Sequence, residues 1–168
     1  MRIIIGNDHI GYDLKMHIKE YLTKKGHDVM DVGTHDTART DYPIYAKKAA
    51  QAILNGECEK GILICGTGMG ISIAANKVKG IRAAVCSESY SAQMATEHNN
   101  ANIIAFGSRV VGTAVAELIV DAFINSSFEA ERHQKRVDMI SEMEKCETSA
   151  KRIFTPPAAA GRHGLNYV

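Results

Sequence analysis

The sequence predicts an α/β protein built on one parallel sheet with helices on both faces, and three observations carry that prediction. Short apolar runs alternate with segments of helical period from Arg2 to Ile124, and strands joined by crossover helices make a parallel sheet covered on both sides. The first run, Arg2 to Asp8 (RIIIGND), is apolar without interruption and turns polar at its end, as a doubly buried strand does where it opens into a site. The stretch Lys60 to Val78 passes from a strand through Cys65 into Gly66-Thr67-Gly68-Met69-Gly70 and on into a helix. At 168 residues the chain is long enough for one domain with a proper core.

After the first strand, Leu14, Ile18, Tyr21 and Leu22 follow the stripe of an amphipathic helix, and Gly26 closes it. Asp28 to Gly33 returns to a two-residue period and reads as the second strand. Pro43 opens the next helix at its first position, with Ala46, Ala49, Ala50 and Ile53 inward and an end near Gly56. Gly61 to Ile64 is the third strand and Arg82 to Cys86 the fourth. Ser87-Glu88-Ser89 caps a helix carrying Met94 and His98. Ala101 to Gly107 is the fifth strand, and Thr113 to Ile124 is a helix with Val115, Leu118, Ile119 and Phe123 on its apolar side. Val137, Ile140 and Met143 give a last helix one apolar side, suited to docking on the body or on another subunit. The domain is set at residues 1–147. Residues 148–168 hold Pro156-Pro157 and no apolar period, and are expected to be a mobile or interface-wrapping tail.

Composition narrows the partners. The formal net charge is +1 with the two signs mixed along the chain, so neither nucleic acid nor a membrane surface is the expected partner; a small molecule is. No run approaches a membrane span, and the start turns polar too early for a signal peptide, which makes the cytoplasm the expected location. Cys58, Cys65, Cys86 and Cys146 stand at irregular spacings with no paired motif. They read as reduced thiols rather than disulfides or a zinc site.

Glycines at a strand-to-helix junction allow positive φ and leave consecutive N–H groups free to form an anion nest, helped by the positive end of the helix. A thiol at that junction is either a proton-handling group or a small residue ending a core strand, and the stretch alone does not choose. Asp8 and His9 fall at the end of the first strand, and Cys65 and Thr67 at the end of the third, where α/β ligands bind. His98 and Asn99 lie where a helix returns toward the fifth strand, so they need not share that pocket within one chain. His27, His35 and His163 keep the ordinary reading of structural or surface histidines. Arg132 and Arg136, four apart, share a helix face and suit either a phosphate clamp or a solvated basic surface. The dinucleotide fingerprint fails, because Gly68 is followed by Met69-Gly70-Ile71 and the loop follows the third strand. A cysteine phosphatase loop fails as well, since an arginine belongs where Ile71 stands.

Taken together, GNDHIGYDLK, DVGTHD, DYPIYAKKAA, ICGTGMGISIAANKVKGIRAA, EHNNANIIAFGSRVVG and RHQKRVDMI resemble the ribose-5-phosphate isomerase B and galactose-6-phosphate isomerase family, in order from Met1 to about Ile140. The resemblance implies a three-layer Rossmann-like fold with a five-stranded parallel sheet and a C-terminal helix used in dimerisation. It implies a homodimer or homotetramer with sites shared between subunits, no metal and no other cofactor, and an aldose–ketose isomerisation of the pentose phosphate pathway. Such chemistry removes a proton beside a carbonyl, shelters an enediolate and returns the proton to the neighbouring carbon. By resemblance Cys65 is the proton-shuttling base with Thr67 beside it, Gly66, Gly68 and Gly70 hold the oxyanion, and His98 opens the furanose ring. Asp8 assists or binds hydroxyls, Asn99 bonds the enediolate, Tyr42 lines the pocket, and His9, Arg109, Arg132 and Arg136 contact phosphate and sugar. Some family members lack the thiol and carry a glutamate base where Ile71 stands, so this chain, with Cys65 present, resembles the cysteine branch. Ribose 5-phosphate is the leading substrate; allose or galactose 6-phosphate, or a non-catalytic sugar-phosphate-binding subunit, are the alternatives.

Overall fold

Runs of isoleucine set the centre of the protein, whose computed structural model describes residues 1–145. Strands β1 (Arg2–Asn7), β2 (Asp28–Asp31), β3 (Lys60–Cys65), β4 (Ala83–Val85) and β5 (Ile103–Gly107) form one parallel sheet in the order β2-β1-β3-β5-β4. The inner strands are the uninterrupted apolar runs, buried on both faces as a covered parallel sheet requires. The edge strands are shorter than their sequence runs and only partly buried.

Side chains alternate across the sheet and so divide the core in two. Ile3, Ile5, Ile62, Ile64, Ile104 and Phe106 pack with α1 (Tyr12–Lys24), α4 (Ser89–Glu97) and α5 (Thr113–Asn125). Ile4, Leu63, Cys65, Ile103 and Ala105 pack with α2 (Tyr42–Leu54) and α3 (Met69–Ala75). The result is the three-layer Rossmann-like arrangement that the resemblance implied. From β1 the chain moves outward to β2 and then crosses to β3 on the other side, so the order reverses between β1 and β3. The carboxyl ends of these two strands flank the crevice where such sheets bind ligands.

Three expectations need correction. Val115 and Leu118 of α5 are exposed, at 40% and 60%, while Ala116, Ile119, Val120, Phe123 and Ile124 are buried. The helix is apolar nearly all round, so its pattern alone did not fix the inward side. Met69 and Gly70 belong to the first turn of α3 rather than to the loop. The last helix, α6 (Glu131–Met143), buries Val137 and also His133, whereas Ile140 and Met143 of the predicted apolar side are exposed. It is entered through Ala130 and Glu131 at φ 53° and 38°, a conformation uncommon outside glycine.

No helix among the described residues is long and apolar enough to cross a membrane. The boundary at residue 147, the tail at 148–168 and Cys146 lie outside the described residues.

Candidate active site

The loops leaving β1, β3 and β5 are stitched together at the carboxyl end of the sheet. Asp8 N–H donates to the Ile64 carbonyl (3.2 Å), Ser108 N–H to that of Cys65 (2.9 Å) and Arg109 N–H to that of Gly66 (3.2 Å). The Ser108 hydroxyl adds a bond to the Ile10 carbonyl (2.9 Å). Asp8 is buried and caps the 3-10 turn His9–Gly11, its Oδ1 accepting the N–H groups of Ile10 (3.0 Å) and Gly11 (3.2 Å). The neighbouring His9 has Nδ1 at 3.2 Å from both the N–H and the carbonyl of Thr40, so that nitrogen has a partner in either tautomer. Its Nε2 makes no hydrogen bond among the described residues.

Cys65 ends β3 with its side chain on the α2–α3 face. Gly68, at φ 80°, turns its N–H onto the sulfur at 3.1 Å. Only glycine fits there, since a Cβ would stand 2.8 Å from the Phe106 backbone. At Gly70 a Cβ would meet the Tyr42 ring at 2.7 Å, which shows how closely Tyr42 covers the loop. Thr67 Oγ1 accepts the Met69 N–H (3.3 Å). Two N–H groups of the predicted nest are therefore committed internally, to Cys65 and to Thr67. Burial pushes the Cys86 thiol up to about 11, with Glu88 adding to it, and burial raises Cys58 as well. Neither is a base at neutral pH.

At the amino end of the sheet stands a second cluster. His98 follows α4, and its ring stacks on His133 of α6 at 4.2 Å between centroids and 8° between planes. Glu129 Oε2 lies 3.7 Å from His133 Nε2 and 4.0 Å from His98 Nε2. Arg132 Nε donates to His133 Nε2 (3.1 Å), and Arg136 Nη1 lies 3.5 Å from Nδ1. Burial holds the His133 imidazole below its ordinary range, helped by the charges of His98, Arg132 and Arg136. His98, Glu129 and His133 offer three donor atoms within 4.8 Å. Parallel rings aim their lone pairs side by side rather than at one point, and Arg132 occupies one of them, so the three donors do not converge on a single position.

The predicted residues thus divide into two groups. Asp8, His9, Tyr42, Cys65, Gly66, Thr67, Gly68, Gly70 and Arg109 gather at the carboxyl end, whereas His98, Asn99, Arg132 and Arg136 do not join them. Cys65 pairs with Gly107 at the end of β5, and the His98–Asn99 turn precedes the start of that strand at Ile103. Four residue steps at about 3.3 Å put roughly 13 Å of sheet between the two ends. A cavity of about 560 Å³ at the carboxyl end is lined by His9, Asp13, Ser108 and Arg109, and one of about 450 Å³ at the amino end by Arg82, Asn99 and Ile140. Cys65, 4% exposed, lines neither.

Sequence reasoning missed two polar anchors. Lys15, fully buried, donates to Asp31 Oδ2 (2.9 Å) and to the Thr34 carbonyl (2.9 Å), tying α1 to the loop after β2. Burial raises the Asp31 carboxyl, but hydrogen bonds and charge from Lys15 and Lys19 outweigh it and hold the group below its usual range. The signal was legible: Lys15 stands three and seven residues before Ile18 and Leu22, inside the apolar stripe. His133 was legible in the same way, four before Val137 and seven before Ile140.

Comparison with known proteins identifies the family to which this fold belongs. The family model described as Ribose/Galactose Isomerase matches residues 3–140. The chain is 54% identical to ribose-5-phosphate isomerase B of Escherichia coli over 144 residues, covering 86% of this chain and 97% of that one. It is 44% identical to the galactose-6-phosphate isomerase subunit LacB of Clostridium acetobutylicum over 158 residues, covering 92% and 91%. Ribose-5-phosphate isomerase B of Clostridium thermocellum superposes with a TM-score of 0.85 at 55% identity, covering 86% and 98%. With a family match spanning nearly all of the described residues, the chain belongs to the ribose/galactose isomerase family, aldose–ketose isomerases acting on sugar phosphates.

Proposed function

We propose that the protein interconverts ribose 5-phosphate and ribulose 5-phosphate through an enediolate, in a site completed by a second copy of the chain. The observation that carries this reading is the Cys65 thiol at the switch-point crevice, held under the Gly68 N–H and among tightly stitched loops. Cys65, as thiolate, takes the proton from C2 of the open-chain aldose, and the electron pair moves onto the carbonyl oxygen to give the enediolate. The same thiol returns the proton to C1 while the proton of the C2 hydroxyl passes to the C1 oxygen, so that C2 becomes the carbonyl and C1 carries the hydroxyl of the ketose. Backbone N–H groups of the Gly66–Gly70 segment other than the two committed to Cys65 and Thr67, together with the Thr67 hydroxyl, stabilise the oxyanion, in a loop whose shape is fixed beforehand. Asp8, held by the Ile10 and Gly11 N–H groups, binds sugar hydroxyls, and Tyr42 closes the loop side.

The partner chain supplies what the carboxyl end lacks. His98 opens the furanose ring by moving a proton between the anomeric hydroxyl and the ring oxygen, and Asn99 bonds the enediolate. His9 and Arg109 of one chain, with Arg132 and Arg136 of the other, hold the phosphate. Exposure of Asn99, Arg132 and Arg136 at the amino end supports their use across an interface, and the sheet length between the clusters speaks against their use within one chain.

A six-carbon phosphate is the second reading, favoured by the 44% identity to a galactose-6-phosphate isomerase subunit. Turnover of ribose 5-phosphate against allose and galactose 6-phosphates, for the native chain and Cys65→Ala, separates the readings. The native chain should prefer the pentose, and solvent deuterium should appear at the substrate carbon. Preference for a hexose phosphate would move the assignment to the second reading. Full rate in Cys65→Ala would refute the proton shuttle, and binding without turnover of any of them would point to a non-catalytic subunit.

A further inference from the structure

We propose that Arg82 is a positioning residue for the reaction, holding the turn between α4 and β5 in the shape that presents His98 and Asn99. This rests on the reading above, in which those two side chains reach the substrate. After α4 ends at Glu97, the His98 N–H still returns to the Met94 carbonyl (2.9 Å). Asn100 then takes φ 49°, with its N–H on the Thr96 carbonyl (3.0 Å) and the Ala101 N–H on that of Ala95 (2.8 Å). That is a left-handed helix stop built on asparagine in the place glycine usually fills.

Such a stop turns the last carbonyls away from the helix, and those of Asn99 and Asn100 need another donor. Arg82 Nε supplies it, at 3.1 Å and 2.8 Å. The contact also sets a permanent positive charge at the negative end of α4. Arg82 is in turn fixed to the sheet. Its N–H donates to Asn102 Oδ1 (2.9 Å), Asn102 Nδ2 donates to the Gly80 carbonyl (2.8 Å), and the Arg82 carbonyl accepts the Asn102 and Ile103 N–H groups. The backbone of Arg82, just before β4, is bonded to Asn102 and to the start of β5, and its side chain to the turn. Asn99 itself is exposed, so its direction depends on the backbone beneath it. Without the guanidinium, Asn100 loses the partner that stabilises its uncommon conformation, and Asn99 is released.

The test uses the full chain as Arg82→Ala, Arg82→Lys, Asn99→Ala and the Arg82→Ala/Asn99→Ala pair. A group that aligns an enediolate contact acts in the transition state, so Arg82→Ala should lose about tenfold or more in kcat with KM within about twofold. Methylguanidinium should restore part of the rate, and Arg82→Lys should stay low, because an ammonium does not reproduce the planar Nε. Added to Asn99→Ala, the Arg82 change should cost less than about twofold more, as expected of residues acting as one unit. Independently of activity, the Asn100 and Ala101 amides should exchange about tenfold faster with solvent deuterium in Arg82→Ala. Native kcat in Arg82→Ala, fully additive losses or unchanged exchange would each overturn the proposal. Full rate in Asn99→Ala alone would instead remove the role given to Asn99, and the exchange measurement would then decide whether Arg82 holds the turn.

Discussion

At the carboxyl end of the sheet, loops from three strands hydrogen-bond to one another, and Asp8 and Cys65 are buried and capped by backbone N–H donors. At the amino end, His98, Asn99, Arg132 and Arg136 stand on a turn and on a helix that is lightly attached and mostly exposed. The contrast fits the mechanism proposed above, in which the carboxyl end moves a proton and the amino end acts across an interface. A proton shuttle needs atoms fixed within a fraction of an ångström, and interlocked loops provide that. Groups that meet their target across an interface need to be exposed until the partner arrives, and complementarity then fixes them.

Lys15→Met should widen this contrast the most. It leaves Asp31 buried without its main partner, and removing one member of a buried pair costs about 3–5 kcal/mol. Denaturant unfolding should show that loss; a change under about 1 kcal/mol would mean the pair does not anchor the carboxyl end. Gly68→Ala comes next, combining positive φ with a Cβ against the Phe106 backbone. A cost of about 1–3 kcal/mol is expected, along with lost turnover because the Gly68 N–H would leave the Cys65 sulfur. Native melting temperature and rate in that variant would contradict the loop geometry.

Arg136→Ala probes the other end. Its guanidinium is exposed, so the melting temperature should hold while KM for the sugar phosphate rises about tenfold, as for loss of one charged hydrogen bond. A fall in stability with KM unchanged would make it a structural residue. The smallest effect belongs to His133. Its folded imidazole lies below the unfolded value near 6.5, so the unfolded chain takes up the proton first. Its contribution is complete above about pH 6.5 and is lost as the pH falls from there toward the folded value. Native protein should therefore lose stability below pH 6.5 faster than His133→Gln; parallel curves from pH 8 to 5 would contradict the shift.

The inner strands, the switch-point loops and the place of Cys65 at the end of β3 were readable in the sequence because doubly buried strands and glycine turns leave local signatures. The inward side of α5 was not, because Val115 and Leu118 are as apolar as the residues that are buried. The Lys15–Asp31 anchor and the His98–His133 stack were hidden for another reason. Each joins residues far apart in the chain, and only one partner of each carries a periodic hint. Whether Arg132 and Arg136 form a solvated face or a clamp stayed open in the pattern itself, since helical spacing is the same for both. The resemblance, not the spacing, assigned them to phosphate.

The central claim is that Cys65 of one chain works with His98 of another, and subunit complementation tests it most directly. Cys65→Ala and His98→Asn should each be nearly inactive alone. Mixed in equal amounts and allowed to exchange subunits, half of the resulting dimers carry one variant of each kind. Each such dimer has one intact site of two, so activity should recover to roughly a quarter of native. No recovery, with mixed dimers verified by mass, would contradict a site shared between chains.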